Sequence, residues 1–242
     1  MKGLIPAAGR GTRLEPITLA IPKELLMIGD KAVIEYVIEA MKTVGITDIT
    51  IVVGWRKHAI LDYLGSGDRL GVNLSYVVQD KRDGLAKAVQ TGEKILKDDT
   101  FVVILGDDFF YPASFLKEII DFHKQNKADA TIGVAEVKDV TRHGIIKTDG
   151  DKIIDLIEKP KINEAPSNLG CMGVYVFNPS VFEAIKKTKT GYNNEYQLTD
   201  SIKILVNEGK KVLYKIISGE HIDVGTLDDY KKANARFSQI NK

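Results

Sequence analysis

Five charged residues, widely spaced in the chain, each close an apolar run or a glycine-rich turn: Arg13, Lys23, Asp107, Lys159 and Asp223. Cations and carboxylates in such positions suit phosphate chemistry, the cations meeting anionic oxygens and the carboxylates a divalent metal. The first lies in Gly3-Leu4-Ile5-Pro6-Ala7-Ala8-Gly9-Arg10-Gly11-Thr12-Arg13-Leu14-Glu15-Pro16, where an apolar strand empties into a glycine-rich turn. Small or absent side chains let successive backbone N–H groups converge on an anion, and Arg13 adds a planar, permanently charged fork. Leu14 stands where a dinucleotide fingerprint needs its third glycine, and the Gly-Lys-Ser/Thr of a P-loop is missing, so the loop is of another kind. Lys23 follows in Ile21-Pro22-Lys23-Glu24-Leu25-Leu26, where Pro22 disfavours helix at Ile21 and predicts an extended segment able to return toward the loop.

Asp107 and Asp108 end the most apolar run of the chain, Phe101 to Leu105. Asp-Gly pairs also cap helices and form turns, but a buried strand ending in two acids suits magnesium, which takes one or two carboxylates plus phosphate and water oxygens. Asp223, in His221-Ile222-Asp223-Val224-Gly225-Thr226, is the natural second ligand. Lys159, after the run closing at Glu158, fits either a solvated strand end or a cation for a second phosphate. Gln79, closing Ser75-Tyr76-Val77-Val78, carries a donor and an acceptor suited to a nucleobase edge, with the turn Asp83-Gly84-Leu85-Ala86 beside it.

These residues need a scaffold that brings strand ends together. Candidate strands at Gly3 to Ala7, Ile49 to Val53, Leu74 to Val78 and Phe101 to Leu105 alternate with helix-period segments at Val33 to Met41, Ile60 to Leu64 and Leu85 to Leu96. That alternation predicts an α/β fold with a parallel sheet, whose ligands bind beyond the carboxyl ends of the strands. Strand-like runs at Ala130 to Val137, Gly144 to Lys147, Ile153 to Glu158 and Met172 to Phe177 predict a mixed α+β second half, followed by helices near Val181 and Leu198, a strand at Val212 to Ile217 and a closing helix after Asp228. One domain is expected, in two halves over about 1–127 and about 128–242.

Composition excludes several classes. Cys171 is the sole cysteine, so no disulfide framework exists, and its apolar surroundings predict a buried core thiol. The net charge of +1 disfavours a nucleic-acid binder acting through bulk charge. No run is long enough to span a membrane and the start lacks a signal-peptide pattern, which together predict a cytoplasmic protein. His58, His123, His143 and His221 lack metal-site spacing and read as structural or exposed. No Gly-x-Ser-x-Gly elbow supports a serine hydrolase. Trp55 and the trio Phe109, Phe110, Tyr111 read as packing residues.

Taken in order, these segments resemble the sugar-1-phosphate nucleotidyltransferases, and the similarity runs over nearly the whole chain. Ala8-Gly9-Arg10-Gly11-Thr12-Arg13-Leu14 with Pro16 and Thr18, then Pro22-Lys23-Glu24-Leu25-Leu26, is similar to the family's signature loop and lysine. Gln79 with Gly84-Leu85-Ala86 and Leu105-Gly106-Asp107 resembles the thymidylyltransferases, whereas Pro6-Ala7-Ala8-Gly9, Pro22-Lys23-Glu24 and Glu195-Tyr196-Gln197-Leu198-Thr199-Asp200 resemble the bacterial uridylyltransferases. The resemblance implies a Rossmann-like, mostly parallel mixed sheet flanked by helices, with a smaller α+β sugar-binding lobe. It further implies condensation of dTTP or UTP with a sugar 1-phosphate, glucose 1-phosphate in the first instance.

Carried over residue by residue, it implies Mg2+ on Asp107 and Asp223, and catalytic cations at Arg13, Lys23 and Lys159. The nucleotide would meet Ala8, Gly9, Gly11, Thr12, Arg13, Gln79 and Gly84, and the sugar Gly144, Glu158, Lys159 and Asn168. Symmetric oligomers are usual in the family, so a homo-oligomer is expected. No segment resembling the left-handed β-helix of acetyltransferase-fused relatives follows the last helix, so acyl transfer is not expected. A glycosyltransferase using a finished NDP-sugar is the first rival, disfavoured because Asp107 and Asp108 are adjacent and not an Asp-x-Asp pair. A non-catalytic regulatory member is the second, disfavoured by retention of all five charged residues.

Overall fold

The computed structural model describes residues 1–240, which group into two compact units. One comprises Lys2–Arg82, Ile104–Leu116 and the chain from Gly219 onward; the other comprises Asp83–Val103 and Lys117–Ser218, joined by Met1. Each unit draws segments from both sides of residue 127.

The first unit is built on three parallel strands in the order Asn73–Val78, Asp48–Val53, Lys2–Ala7, with Gly3 opposite Ile49 and Ile49 opposite Leu74. The two inner strands are buried almost throughout while Asn73–Val78 is half-exposed, which is why the inner two read as unbroken apolar runs and the third alternates. The helix Val33–Thr43 buries Val33, Ile34, Val37, Ile38 and Met41, the stripe its periodicity predicts. Its first turn is fixed by the buried Glu35, whose carboxylate accepts from Ala32 N–H at 2.9 Å and Tyr63 O–H at 3.0 Å and pairs with Arg69 at 2.7 Å. A separate antiparallel ladder joins Asp108–Tyr111 to Glu220–Asp223, with Asp223 opposite Asp108. The first of these strands is not evident in the sequence, where Asp107-Asp108 reads as the end of a run and not the start of another.

The second unit carries strands in the order Leu169–Phe177, Ala130–Glu136, Val212–Ile216, Lys152–Glu158, Gly144–Asp149. Ala130–Glu136 runs parallel to Val212–Ile216 and the other neighbours are antiparallel, the mixed character the sequence suggests. The expected Leu85 to Leu96 helix divides at Gly92 into Leu85–Thr91 and Glu93–Leu96. The helix Phe115–Asn126 is an addition to the expected elements, since its apolar positions follow the aromatic trio without a clear start signal. Phe101 stacks on Phe182 with ring centroids 5.3 Å apart, and Cys171 is a buried free thiol as expected. Among the described residues no helix is long and apolar enough to cross a membrane.

His123 is buried, 3% exposed, with Nδ1 3.0 Å from Thr131 Oγ1. Burial disfavours its protonated form and lowers its pKa below the ordinary 6.5. The unfolded chain therefore binds more protons than the folded one below pH 6.5, so this contribution is complete above that pH and is lost as pH falls. Chemical denaturation of wild type and His123→Gln between pH 7.5 and 5 is expected to show a steeper loss of stability in the wild type. Equal slopes would contradict the assignment.

Candidate active site

In the first unit the glycine-rich loop leaves the Lys2–Ala7 strand and closes with a 3-10 turn at Thr12–Leu14, whose Leu14 is buried. Arg13 and Thr12 stay exposed. Ile21 and Pro22 are extended, as Pro22 predicts, but Lys23 then opens a 3-10 turn, Lys23–Leu25, and does not continue the extended path. The turn sends the lysine side chain under the loop: a Cβ at Gly9 would lie 3.6 Å from Lys23 Cε.

The lysine ammonium makes an ion pair with Asp107, and both side chains are largely buried. Burial alone would lower the pKa of Lys23; Asp107, Glu24 and Asp223 together outweigh it and hold the group above its ordinary range. The neighbouring acids are shifted upward as well, toward their neutral forms. Asp223 is raised by burial and by Asp107, with Lys23 and Arg13 pulling it back. Glu24, 1% exposed, is pushed up to about 7 by burial against the pull of Lys23. Four acids thus gather around few cations, and Glu24 Oε2 and Asp108 Oδ2 are buried without a hydrogen-bond partner.

The second side of this cluster comes from the antiparallel ladder. Val224 N–H donates to Asp107 C=O at 3.0 Å, tying the segment after Asp223 to the residue that pairs with Lys23. Gly225 permits a close approach here, since a Cβ would lie 2.8 Å from Arg13 Nη2 and 2.9 Å from Asp223 Oδ1. His221, which the sequence marks only as structural or exposed, is largely buried, its Nε2 2.9 Å from Asp108 Oδ1 and its ring packed on Phe110 with centroids 4.6 Å apart. Burial would lower the His221 pKa, but Asp108 overrides it and raises it. No sequence signal marks this pair, because the residues are 113 positions apart.

Among the described residues no group of three or more His, Cys, Asp or Glu side chains is arranged to hold a metal by itself. The donor set is nonetheless one a hard cation fits: two carboxylates, Asp107 and Asp223, with burial first and the charge of Asp107 second raising the pKa of Asp223.

Gln79 is buried, and its N–H continues the strand ladder to Val53 C=O at 2.9 Å. Gly84 lies in the second unit with φ +124°, where a Cβ would sit 2.6 Å from Tyr196 N, so only glycine fits. Hydrogen bonds from Tyr196 N–H to Asp83 C=O and from Ala86 N–H to Tyr196 C=O clamp this turn.

The second unit also brings together Gly144, Glu158 and Lys159. Glu158 pairs with Gly144 in the strand register, accepts a hydrogen bond from Thr199 Oγ1, and lies 3.5 Å from Lys159 Nζ. Lys159 has φ +42°, a strained left-handed conformation for a lysine, with its N–H on His143 C=O at 3.0 Å and its ammonium over the Tyr192 ring. Such strain is concentrated at functional sites. Thr199 and Tyr192 join this group without having been singled out by the sequence, although Thr199 lies in the Glu195 to Asp200 segment that carries the resemblance. Asn168 is exposed, and among the described residues its side chain makes no hydrogen bond to Glu158 or Lys159.

Loop, lysine and carboxylates of this kind define an enzyme that moves nucleotidyl groups. The nucleotidyl transferase family model matches residues 2–240, and the chain belongs to that family. It is 34% identical over 236 residues to the low-salt glycan biosynthesis nucleotidyltransferase Agl11 of Haloferax volcanii, covering 97% of this chain but only 65% of that protein's length. It is 35% identical over 268 residues to a UTP–glucose-1-phosphate uridylyltransferase of Staphylococcus epidermidis, covering 98% and 92% of the two chains. A UDP-glucose pyrophosphorylase solved with UDP-glucose superposes with a TM-score of 0.91 at 33% identity, over 99% of this chain and 98% of that one.

Gly225→Ala is expected to leave thermal stability near wild type, because the side-chain ends of Arg13 and Asp223 that the added Cβ meets can both yield, while raising the KM for the nucleoside triphosphate about tenfold, roughly 1.4 kcal/mol of lost binding. An unchanged KM would show that the close packing of Arg13 on Gly225 and Asp223 has no bearing on the substrate.

Proposed function

We propose that this protein condenses a nucleoside triphosphate, UTP or dTTP, with glucose 1-phosphate to give an NDP-glucose and pyrophosphate. The observation that carries the reading is the Lys23–Asp107–Asp223 cluster beneath the glycine-rich loop, where buried acid exceeds the cations beside it. A phosphate oxygen of the sugar 1-phosphate attacks the α-phosphorus in line; the bond from α-phosphorus to the bridging β-oxygen breaks, and pyrophosphate departs with that oxygen. No general base is needed, because the attacking phosphate is already anionic near neutrality, and the barrier is mainly alignment and charge neutralisation.

Asp107 and Asp223 would hold Mg2+, which when bound supplies positive charge at the α-phosphate. Lys23 and Arg13 hold the triphosphate against the N–H groups of Gly9 and Gly11, with Ala8 and Thr12 completing the loop. Gln79 and Gly84 receive the base. Lys159 binds the phosphate of the sugar substrate, and Glu158, with Gly144 and Thr199 around it, accepts sugar hydroxyls; Asn168 completes the sugar site. UTP is favoured over dTTP by the uridylyltransferase relative that this chain matches over 92% of its length. The reading extends to a cytoplasmic enzyme, assembled as a homo-oligomer, with no membrane or nucleic-acid partner.

Asp107→Asn is expected to keep the fold, since the amide still accepts from Lys23 and the acids Glu24 and Asp223 remain to offset the ammonium, while pyrophosphate release falls to a small fraction of wild type. Near-wild-type release would remove Asp107 from the metal site. Arg13→Ala should lower kcat/KM for the triphosphate by about 10²- to 10³-fold, the scale for losing one charged donor at a reacting phosphate. A matrix of common triphosphates against hexose 1-phosphates with magnesium tests the whole reading. Its strongest response is expected for UTP with glucose 1-phosphate, and pyrophosphate release with none of the pairs would overturn it.

A further inference from the structure

Glu24 is a buried acid that the proposed reaction leaves without a task. It is 1% exposed, and its Oε2 has no hydrogen-bond partner. The 3-10 turn Lys23–Leu25 sets it beside Lys23, and a Cβ at Gly106, the residue before Asp107, would lie 3.1 Å from Glu24 Cγ. Lys23 and Glu24 thus meet the Gly106-Asp107 segment together. The ammonium is spent on Asp107 Oδ2, and the carboxylate beside it keeps an orphaned oxygen. Buried polar atoms without a partner are rare, and leaving one costs stability.

Asp107, meanwhile, has two claimants. Its Oδ2 accepts from the Lys23 ammonium, while the proposed metal site asks the same carboxylate for a divalent ion beside Asp223. An ammonium and a hard dication on one carboxylate repel each other, so the lysine must give way. A cation displaced within a buried cluster needs another counter-charge close by. Against the cost of its burial, the Lys23 ammonium is held most strongly by Asp107, then by Glu24, then by Asp223. Asp223 is the other metal ligand of the proposed site, and Asp108 already has His221 on its Oδ1. A lysine carries three donors on a flexible stem, so its head can turn between neighbouring carboxylates while the backbone stays in place.

We propose that Lys23 and a divalent metal compete for Asp107, and that Glu24 is the positioning residue whose free Oε2 takes the Lys23 ammonium when Asp107 turns to the metal. The inference rests on the metal site proposed above and adds a counter-ion exchange to it. The unloaded site is neutralised by its own lysine. With one donor on Glu24, Lys23 keeps two more for a phosphate.

Binding of Mn2+ alone to the intact protein, read by loss of the free-ion EPR signal, tests the exchange without turnover. K23M is expected to bind about tenfold more tightly than wild type, because Asp107 loses its competitor. K23Q, which keeps a polar head without the charge, should shift the same way and serves if K23M does not fold. E24Q, which cannot neutralise a displaced ammonium, should bind about tenfold more weakly, with E24D restoring part of the loss. The magnesium concentration for half-maximal turnover should likewise rise in E24Q more than kcat falls. In K23M/E24Q the Glu24 effect should vanish, because Glu24 acts through Lys23. Folded K23M or K23Q binding no more tightly than wild type would overturn the competition. A wild-type magnesium requirement in E24Q, or a Glu24 effect of the same size without Lys23, would overturn the positioning role. D107N with an unchanged midpoint would take the ion off Asp107 and overturn the metal site together with the exchange, whereas the Lys23 and Glu24 variants fail the exchange alone.

Discussion

Everything in the first unit is organised around keeping Asp107 and Asp223 ionisable beside Lys23 while they are largely buried. Burying carboxylates costs several kcal/mol each unless a cation answers them, and removing one partner of such a pair costs about 3–5 kcal/mol. Lys23 answers Asp107 directly and Arg13 moderates Asp223, yet the acids Glu24 and Asp108 add to the negative side. His221 answers Asp108 from across the antiparallel ladder. The balance is left short of cations, which is the state in which a site takes up a divalent metal with its phosphate ligands.

The positions of these groups come from ordinary strand physics. The parallel strands Lys2–Ala7 and Asp48–Val53 are buried beyond their first residues and mostly apolar there, so charged groups are confined to their ends and the loops that follow. The glycine-rich loop leaves one such end, and the segment Gly54-Trp55-Arg56 leaves the other. Both lie beyond carboxyl ends of parallel strands, the place where ligands of such sheets bind.

Much of this is legible in the sequence. The strands at Lys2–Ala7, Asp48–Val53 and Asn73–Val78 fall within a residue or so of the runs that signal them, because short apolar or alternating runs bounded by polar and glycine-rich segments admit few other readings. The loop, Lys23, Asp107 and Asp223 stand out as charges ending apolar runs, and the structure draws them into one electrostatic cluster. Relations between distant residues are the part that sequence hides. Asp108 with His221, Glu158 with Thr199, and Trp55 with Arg10 and Arg82 depend on register and on loops meeting in space, and no local pattern encodes them. Lys159 is recognisable by type but not by its left-handed backbone, which propensity alone would assign to glycine or asparagine.

In the proposed reaction the sugar phosphate attacks the α-phosphorus directly and displaces pyrophosphate. That step is tested most directly by running the reaction with glucose 1-phosphate labelled with 18O in its phosphate and following both products by 31P NMR. Label is expected in the NDP-sugar, including the oxygen bridging its two phosphorus atoms, and none in the pyrophosphate. Label in the pyrophosphate, or a bridging oxygen derived from the triphosphate, would contradict it.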